Sequence, residues 1–267
     1  MAKRKLQGKN VVVTGGGGGL GAALGRELGY AGANVSLLDI DYGAAVVAAD
    51  RVTTGSAVAV ECDVTSWDSC TTAIAQAEEA NGPTDILINN AGLAHRSTFA
   101  TTDLEVLHRV MDINFWGAVH CTKATLPTIK ERRGAIAIIS STTGFAPLLE
   151  RSAYAASKHA LHGLFGTLRT ELANTGVDVM IAAPTFIDTP FRDHTVGGDG
   201  AVAEPTQSPT PKTTSAEDVA ERIVWGIERR RSTLVLGRVG IATRYLNALA
   251  PGIYERMMIR SLRREPS

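Results

Sequence analysis

The amino-acid sequence predicts a single α/β domain, built on a doubly wound parallel sheet of about seven strands with helices on both faces. Short apolar runs rich in valine and isoleucine alternate with longer helical segments, a pattern typical of βαβ units. The runs are apolar almost throughout, as expected for strands covered on both faces. At 267 residues, 44% of them hydrophobic, the chain is long enough to fill one large core.

The first unit of this sheet is predicted to be a strand, a glycine-rich turn and a helix. Asn10 to Thr14 is largely β-branched, five glycines follow at positions 15–19, and Ala22 to Ala31 has helical composition. A turn of this kind leads into a helix N-terminus, whose free N–H groups and dipole favour an anion such as a pyrophosphate. We therefore expect a dinucleotide-binding turn.

The glycines fit two dinucleotide-binding spacings at once, and the run alone does not decide between them. Leu20 stands just before the last glycine of both spacings and is also expected at the cofactor. The two sets are Gly16, Gly18 and Gly21 for G-x-G-x-x-G, and Gly15, Gly19 and Gly21 after Thr14 for T-G-x-x-x-G-x-G.

An acidic residue follows the second predicted strand, Asn34 to Leu38. Asp39 stands eighteen residues after Gly21, where a carboxylate accepts hydrogen bonds from the adenosine ribose and repels a 2′-phosphate. The glycine turn holds no lysine or arginine that would attract that phosphate. NAD is therefore the predicted cofactor, and NADP is the less favoured alternative.

Polar or small residues also follow the third and fourth predicted strands. The third strand is Ala57 to Cys62, the helix Ser66 to Asn81 follows with Ser66 as its N-cap, and the fourth strand is Asp85 to Ile88. Ligands of open α/β sheets bind at the carboxyl ends of the strands. The residues expected there are Asp63 and Val64 after the third strand, and Asn90, Ala91 and Gly92 after the fourth.

The middle of the chain is predicted to be a long interrupted helix, a strand and an apolar loop. Thr102 to Pro127 is helical except near Asn114, whose side chain competes with the backbone and can hold water. Ala135 to Ser140 is the fifth strand, and it delivers Ser141. The loop Thr142 to Arg151 is apolar enough to form a wall of the substrate site, with Phe145 and Leu148 as the expected contacts.

The next predicted helix, Ser152 to Asn174, carries a tyrosine and a lysine one turn apart. Tyr154 and Lys158 share a helix face. An unperturbed phenol titrates near pH ~10, so Tyr154 can exchange protons at neutral pH only if a nearby cation favours its anion. Ser141, at a strand end, can hold a substrate oxygen nearby. Taken alone, the Tyr-x-x-x-Lys spacing occurs by chance in many helices and favours a half-exposed surface pair.

The last third of the chain is predicted to complete the sheet and to cover the site. Val177 to Ala183 is the sixth strand, Ala216 to Arg230 is a helix, and Thr233 to Leu236 is the last strand. Residues of about 185–215 have no clear periodicity and are expected to form a mobile lid. Residues of about 238–267 are expected to form a tail of two short helices around Pro251-Gly252.

Cysteine usage and hydropathy predict a cytoplasmic protein. Cys62, Cys70 and Cys121 are odd in number and lack metal-ligand spacing, so we expect buried or half-buried thiols, no disulfide framework and no bound metal. The basic start Met1 to Lys5 precedes an apolar run too short for a signal peptide. No run of about 18 apolar residues is present, so no transmembrane segment is expected.

Charge is distributed unevenly along a chain whose net charge is zero. From Arg222 to Ser267 there are ten arginines, no lysine and three glutamates, so this end carries +7 and the rest −7. A solvated helical face explains such an end more often than a partner does, and no nucleic-acid partner is expected. Ile253, Met257 and Leu262 fall at helical spacing beside arginines. This stripe either covers the domain's own core or the substrate pocket, or contacts a membrane or an acidic partner.

With these residues in place, the chain resembles the short-chain dehydrogenase/reductase family from Gly8 to about Gly237. The resemblance implies a Rossmann-type fold, selects the glycine spacing that starts at Thr14, and favours a functional role for the Tyr154-Lys158 pair. The matching motifs, in the family's order, are Thr14-Gly15-x-x-x-Gly19-x-Gly21, Asp39, Asp63-Val64, Asn89-Asn90-Ala91-Gly92, Asn114, Ser141, Tyr154-x-x-x-Lys158 and Thr189.

The resemblance also implies roles for the matching residues. One departure is visible, since Pro184-Thr185 stands where the family commonly has Pro-Gly, and glycine frees the backbone there. Pro184 and Ile187 are expected beside the cofactor. The implied roles are general acid/base for Tyr154, binding of the substrate oxygen for Ser141, a lowered tyrosine pKa and a hold on the ribose for Lys158, a water of the proton relay for Asn114, and contact with the nicotinamide carboxamide for Thr189.

The resulting functional prediction is an NAD-dependent oxidoreductase that interconverts a secondary alcohol and a ketone. The apolar loop and lid favour an apolar substrate of the steroid, terpenoid or fatty-alcohol type. Two alternatives stay open: an NADPH-dependent reductase of acyl-thioester or quinone substrates, and a non-catalytic NAD-binding protein. A homodimer or homotetramer is expected, because the helices carrying Asn114 and Tyr154 are apolar on more than one face.

Overall fold

The computed structural model describes residues 3–204 and 213–262, with the backbone alone at 261 and 262. Within that part of the chain, seven strands form one parallel sheet in the order β3-β2-β1-β4-β5-β6-β9, and β7 pairs separately with β8. The strands are β1 (Asn10–Thr14), β2 (Asn34–Asp39), β3 (Ala57–Glu61), β4 (Ile86–Asn89), β5 (Ala135–Ile139), β6 (Asp178–Ala183), β7 (Ile187–Asp188), β8 (Thr214–Ser215) and β9 (Thr233–Val235).

Helices cover both faces of this sheet, so the predicted fold class is confirmed. Alternate residues of β1 show why: Val11 and Val13 face one apolar layer, and Val12 faces the other. The helices are α1 (Gly19–Tyr30), α2 (Tyr42–Ala49), α3 (Trp67–Asn81), α4 (Leu104–Met111), α5 (Gly117–Glu131), α6 (Ser152–Glu171), α7 (Ala216–Glu228), α8 (Arg238–Leu249) and α9 (Pro251–Leu262).

The long helix predicted over Thr102 to Pro127 has a different form. It is α4, a π-helical turn at Asp112–Trp116 and then α5, so the irregularity expected at Asn114 is present. Its end was predicted wrongly, because α5 runs through Pro127 to Glu131. Proline removes one helical N–H, but Thr125 and Ile129 on either side are fully buried, and this packing holds the helix together.

The described part of the predicted lid is fastened to the loop after β4. Val196 accepts a hydrogen bond from Arg96 N and donates one to Ala94 O, at 2.8 and 2.9 Å. Asp103 N donates to Gly198 O at 2.8 Å. Residues 205–212 of the lid lie outside the described residues, as do 263–267 of the tail.

The tail forms two helices, α8 and α9, as predicted, and contacts the loop expected to line the substrate site. Asn247 Nδ2 donates to Phe145 O at 2.9 Å, and the buried Tyr254 donates its hydroxyl to Pro147 O at 3.0 Å. Ile253 and Met257 of the predicted stripe are each 49% exposed, so the domain does not cover them. No helix in the part of the chain that is described has the length and apolarity to cross a membrane.

Candidate active site

The residues predicted at the strand ends line one cleft of about 1880 Å³. It opens at the carboxyl ends of the parallel strands, where β1 lies between β2 and β4 and the strand order reverses. Open α/β sheets bind ligands at such a point. Since a single small-molecule site is usually ~300–1,000 Å³, the cleft has room for a dinucleotide and a second molecule.

The glycine turn after β1 uses the spacing that begins at Thr14. Gly15 has a φ of +64°, and a Cβ on Gly21 would lie 1.9 Å from Gly15 O. A Cβ on Gly19 would lie 2.9 Å from Thr189 Cγ2. Gly18, which only the other spacing requires, would meet nothing closer than 3.5 Å. Close packing or backbone conformation therefore excludes a side chain at all three glycines of this spacing. Of the two glycines that only the other spacing requires, Gly16 is also closely packed, with a Cβ 2.6 Å from Leu37 Cβ, and Gly18 is not.

The N-terminus of α1 suits an anion. Its N-cap residue is Gly18, and no side chain caps the first turn. The unpaired N–H groups therefore remain for a ligand, which they and the helix dipole would bind if it were negatively charged. Leu20 is buried in this first turn and also lines the cleft. The turn fits a pyrophosphate on these grounds.

Asp39 lies at the end of β2 and holds the glycine turn. Its carboxylate accepts hydrogen bonds from Gly17 N at 2.9 Å and from Asp41 N at 3.0 Å. A carboxylate has more acceptor positions than these two bonds use, so it can also receive ribose hydroxyls. Asp63 and Val64 lie beyond β3 on the same side of the cleft.

The end of β4 is joined to the end of β1 through Thr14. Its hydroxyl accepts hydrogen bonds from Asn90 N and Ala91 N, at 3.0 and 3.1 Å. The Asn90 amide donates to Thr14 O and Gly15 O, both at 3.0 Å. Gly92 leaves space next to Asn114 and Lys158: a Cβ there would lie 3.1 Å from Asn114 Oδ1. These bonds fix the floor of the cleft.

Tyr154 and Lys158 are brought together at this floor by the first turns of α6. Lys158 is 4% exposed, and its Nζ donates to Ile139 O at 3.0 Å. The same nitrogen lies 5.5 Å from the centroid of the Tyr154 ring. Lys158 is therefore buried and Tyr154 is partly buried, and both side chains line the cleft, unlike an ordinary surface pair.

Burial governs the proton affinities of this pair. It raises the pKa of Tyr154 to about 12, against the opposing effects of a hydrogen bond with Ser141 and of the Arg151 charge. Burial also lowers the pKa of Lys158 to about 8. The depressed tyrosine pKa that the family resemblance implied is not found for the protein alone, because desolvation outweighs the nearby charges.

Ser141 lies where β5 ends, next to Tyr154. Its hydroxyl accepts a hydrogen bond from Thr143 N at 3.3 Å, which caps the short 3₁₀ turn of Thr142–Gly144. Ser140, one residue earlier, forms a hydrogen bond with His162, with 2.9 Å between Ser140 Oγ and His162 Nε2. The strand end therefore holds Ser141 in place while its side chain lines the cleft.

Asn114 is 1% exposed and organises the loop after β4. Its Oδ1 accepts from Leu93 N at 2.6 Å, and its Nδ2 donates to Leu93 O at 3.0 Å and to Ser157 Oγ at 2.9 Å. The π-helical turn places this side chain between that loop and α6. Asn114 therefore positions the backbone on which Gly92 lies.

The opposite wall of the cleft follows β6 and includes Pro184, Ile187 and Thr189. Thr185, which stands where the family commonly has glycine, has no positive φ. Its methyl group packs towards α8, where a Cβ on Gly240 would lie 2.9 Å away. The glycine in α8 makes the space that the threonine needs, so the bend of the chain around this wall does not require glycine at 185.

The two residues predicted to contact substrate are placed differently. Leu148 lines the cleft. Phe145 is not among the residues that line it; its ring contacts His162 edge-on, with centroids 6.0 Å apart, and its carbonyl faces α8. The apolar residues of this loop therefore have two environments: Leu148 lies in the cleft, and Phe145 packs against His162 outside it.

Arg151 is a cleft residue that the sequence reasoning missed. It precedes α6, and its Nη1 donates to His95 O at 2.7 Å, which links the α6 N-terminus to the loop after β4. Burial lowers the pKa of Arg151, and its charge in turn lowers that of Tyr154. The only sequence signal was its position three residues before Tyr154.

Comparison with known proteins agrees with this geometry. The family model described as short chain dehydrogenase matches residues 9–197. "Dehydrogenase/reductase SDR family member 7B" of Xenopus tropicalis is 37% identical over 76% of this chain and 66% of its own length, and that of Xenopus laevis is 38% identical over 73% and 61%. The chain thus covers less than two thirds of these two relatives. The mouse protein of the same name is 33% identical over 99% of this chain and 84% of its own length.

These matches extend over the glycine turn, the Asn90 loop and the Tyr154-Lys158 helix. The family model alone covers most of the chain, including the strands whose carboxyl ends form the cleft. The chain belongs to the short-chain dehydrogenase family, whose members are oxidoreductases that generally bind NAD or NADP.

Proposed function

We propose that this protein is an NAD-dependent oxidoreductase that interconverts a secondary alcohol and a ketone, with Tyr154 as its acid and base. The observation that carries the proposal is the meeting of Tyr154, Lys158 and Ser141 on the floor of a cleft that also contains a dinucleotide-binding turn. A phenol, an ammonium and a hydroxyl at one point form a proton-transfer site.

The cofactor is proposed to lie along the strand ends, with its pyrophosphate at α1 and its adenosine ribose at Asp39. When bound, the nicotinamide supplies the hydride chemistry. Asp39 carries the preference for NAD, since a 2′-phosphate would meet its carboxylate. Asn90 and Thr189 flank the cleft further along, where they would contact the nicotinamide end.

The proton steps are proposed for Tyr154. In alcohol oxidation the phenolate accepts the proton of the substrate hydroxyl, and in ketone reduction the phenol donates it. Ser141 holds the substrate oxygen, and its hydrogen bond to the phenol favours the phenolate. One N–H of Lys158 is used by Ile139 O, so two remain for the ribose and the phenolate.

The substrate is proposed to be apolar around its reacting carbon. Leu93, Leu148 and Phe186 line the same cleft as Tyr154. Arg96 and Arg151 line the same cleft, so the wall is not apolar throughout.

A panel of secondary alcohols tests this proposal, with NAD and NADP supplied separately and the reduced-cofactor absorbance followed. We expect NAD-dependent turnover of at least one apolar alcohol. Tighter binding of NADP with turnover of acyl-thioesters or quinones would replace the proposal by an NADPH-dependent reductase. NAD binding without turnover of any alcohol or ketone would indicate a binding protein.

A further inference from the structure

The three cysteines of the chain meet in one buried cluster, although they are far apart in sequence. Cys62 follows β3, Cys70 lies on α3 and Cys121 on α5, and they are 2%, 0% and 0% exposed. Their sulfur atoms all lie within 4.8 Å of one another, and those of Cys70 and Cys121 are 3.6 Å apart. All three are free thiols. We call this group the thiol cluster.

The separation of the sulfurs suits one shared centre. A metal–thiolate bond is about 2.3 Å long, so three sulfurs bound to one centre lie about 3.5–3.8 Å apart. The Cys70–Cys121 pair is already at that distance. The other two pairs lie within 4.8 Å, so they need to close by about 1 Å or less.

The donor set restricts the ligand to a soft element. Thiolates select soft centres, whereas magnesium and calcium require oxygen ligands. Structural zinc takes four protein ligands, and no histidine, aspartate, glutamate or fourth cysteine completes the cluster within the described residues. A centre that is satisfied by three sulfurs therefore fits better than zinc.

Charge further restricts the ligand that the thiol cluster can bind. Three thiolates around a monovalent or divalent ion leave a net negative charge, which is costly in a buried site. The charged group acting on Cys62 and Cys70 is the carboxylate of Asp63, which disfavours further negative charge. A trivalent centre leaves none, since three thiolates neutralise it.

We propose that Cys62, Cys70 and Cys121 form a binding site for trivalent arsenic, taken up as arsenous acid. Three As–O bonds break and three As–S bonds form; each thiol proton leaves with a hydroxyl as water, and no atom changes oxidation state. Reactants and product are all uncharged, so the buried site gains no net charge.

Cys62 is the residue at which this exchange begins. It is the member of the cluster that lines the cleft, which gives a small neutral molecule a path to it. Because Cys62 is the thiol that the cleft reaches, it reacts first, and α3 and α5 then supply the remaining two sulfurs.

Arsenite titration of the full chain, kept reduced with a thiol-free phosphine, tests the proposal. We expect one adduct per chain, with a mass gain of one arsenic less three hydrogens. Cys62→Ser, Cys70→Ser and Cys121→Ser should each weaken binding by roughly 100-fold or more, because loss of even an outer partner costs ~10–100-fold at metal sites. Thr122→Ser, beside Cys121 on α5, is the control and should bind as the parent does.

Circular dichroism melting identifies any cysteine variant that fails to fold. The Cys62→Ser variant is the one we expect to fold most readily, because Cys62 lies at a strand end. A mass gain of arsenic less two hydrogens, arsenite binding that survives in folded cysteine variants, or tighter binding of zinc than of arsenite would each overturn the proposal. These readouts do not depend on dehydrogenase activity.

Discussion

The proton affinity of Tyr154 results from opposing effects at neighbouring residues. Burial raises its pKa to about 12, while the Ser141 hydroxyl and the Arg151 charge lower it. The phenolate is therefore scarce at neutral pH in the protein alone, and in the proposed reaction each group that favours the anion would raise the rate of alcohol oxidation. Arg151 is the one of these groups that no motif indicated.

Arg151→Met is expected to move the pH profile of alcohol oxidation to higher pH. In the proposed mechanism oxidation requires the phenolate, so the rate should rise as pH approaches the pKa of Tyr154. Removing the positive charge raises that pKa, and the rise then occurs at higher pH. The measurement is kcat against pH for the two variants Arg151→Met and Arg151→Lys. Because lysine keeps the charge, the pH profile of Arg151→Lys should stay close to the parent's. Equal shifts in both variants would rule out an electrostatic role for Arg151.

Asp39→Ser is expected to weaken NAD binding and to strengthen NADP binding. The substitution removes an acceptor of ribose hydrogen bonds and the repulsion of a 2′-phosphate. It also frees Gly17 N, which Asp39 holds at 2.9 Å, so the loss of NAD affinity is expected to exceed the gain of NADP affinity. Titrations of both cofactors measure the ratio. Asp50→Ser, at the exposed end of α2, is the control, and a parent protein that already prefers NADP would contradict our interpretation of Asp39.

At the scale of elements, the turn between β1 and α1 depends on close packing. Gly21→Ala would place a Cβ 1.9 Å from Gly15 O, so we expect lost dinucleotide binding and a lower melting temperature. Gly163→Ala is the matched control: it lies in α6, and its Cβ would meet nothing within 4 Å. That variant should be more stable by about 0.5–1 kcal/mol, the usual gain from replacing glycine inside a helix. Equal behaviour of the two variants would exclude packing as the cause.

Elements with a strong local signal were predicted from the sequence, and those that depend on tertiary packing were not. The β-branched run of β1 and the serine cap of α3 predicted the bounds of both elements closely. The continuation of α5 through Pro127 was not predicted, because buried neighbours rather than propensity sustain it. Phe145 was expected in the site since it is apolar, but only the fold shows that it faces His162.

Dependence on tertiary packing also explains why the thiol cluster was not predicted from the sequence. Metal-ligand spacing is a pattern of near neighbours in sequence, whereas Cys62, Cys70 and Cys121 come from three different elements. Topology alone brings them together, because α3 and α5 pack on the same face of the sheet beside the end of β3. A sequence spacing rule has no means of finding such a site.

At the scale of the whole molecule, assembly is expected through the helices that carry Asn114 and Tyr154. Leu104, Trp116 and Leu164 are 67%, 47% and 37% exposed on or beside α4, α5 and α6. Sedimentation of the parent should show a dimer or tetramer. The double variant Trp116→Lys, Leu164→Lys should shift towards monomer, because the interface would bury unpaired charges. Tyr30→Lys, at a side chain that is 66% exposed at the end of α1, is the control. A monomeric parent at micromolar concentration would contradict the expectation.

The central claim, that Tyr154 transfers the proton, is tested most directly by Tyr154→Phe. The variant removes one hydroxyl and keeps the ring, so the fold and NAD affinity should be retained. Steady-state kinetics with an alcohol that the parent oxidises should show kcat reduced by about 10²–10⁴-fold, the usual contribution of a general acid or base. Tyr245→Phe, at a tyrosine that is 61% exposed on α8, should leave kcat unchanged. A Tyr154→Phe enzyme that keeps nearly the parent's kcat would contradict the account.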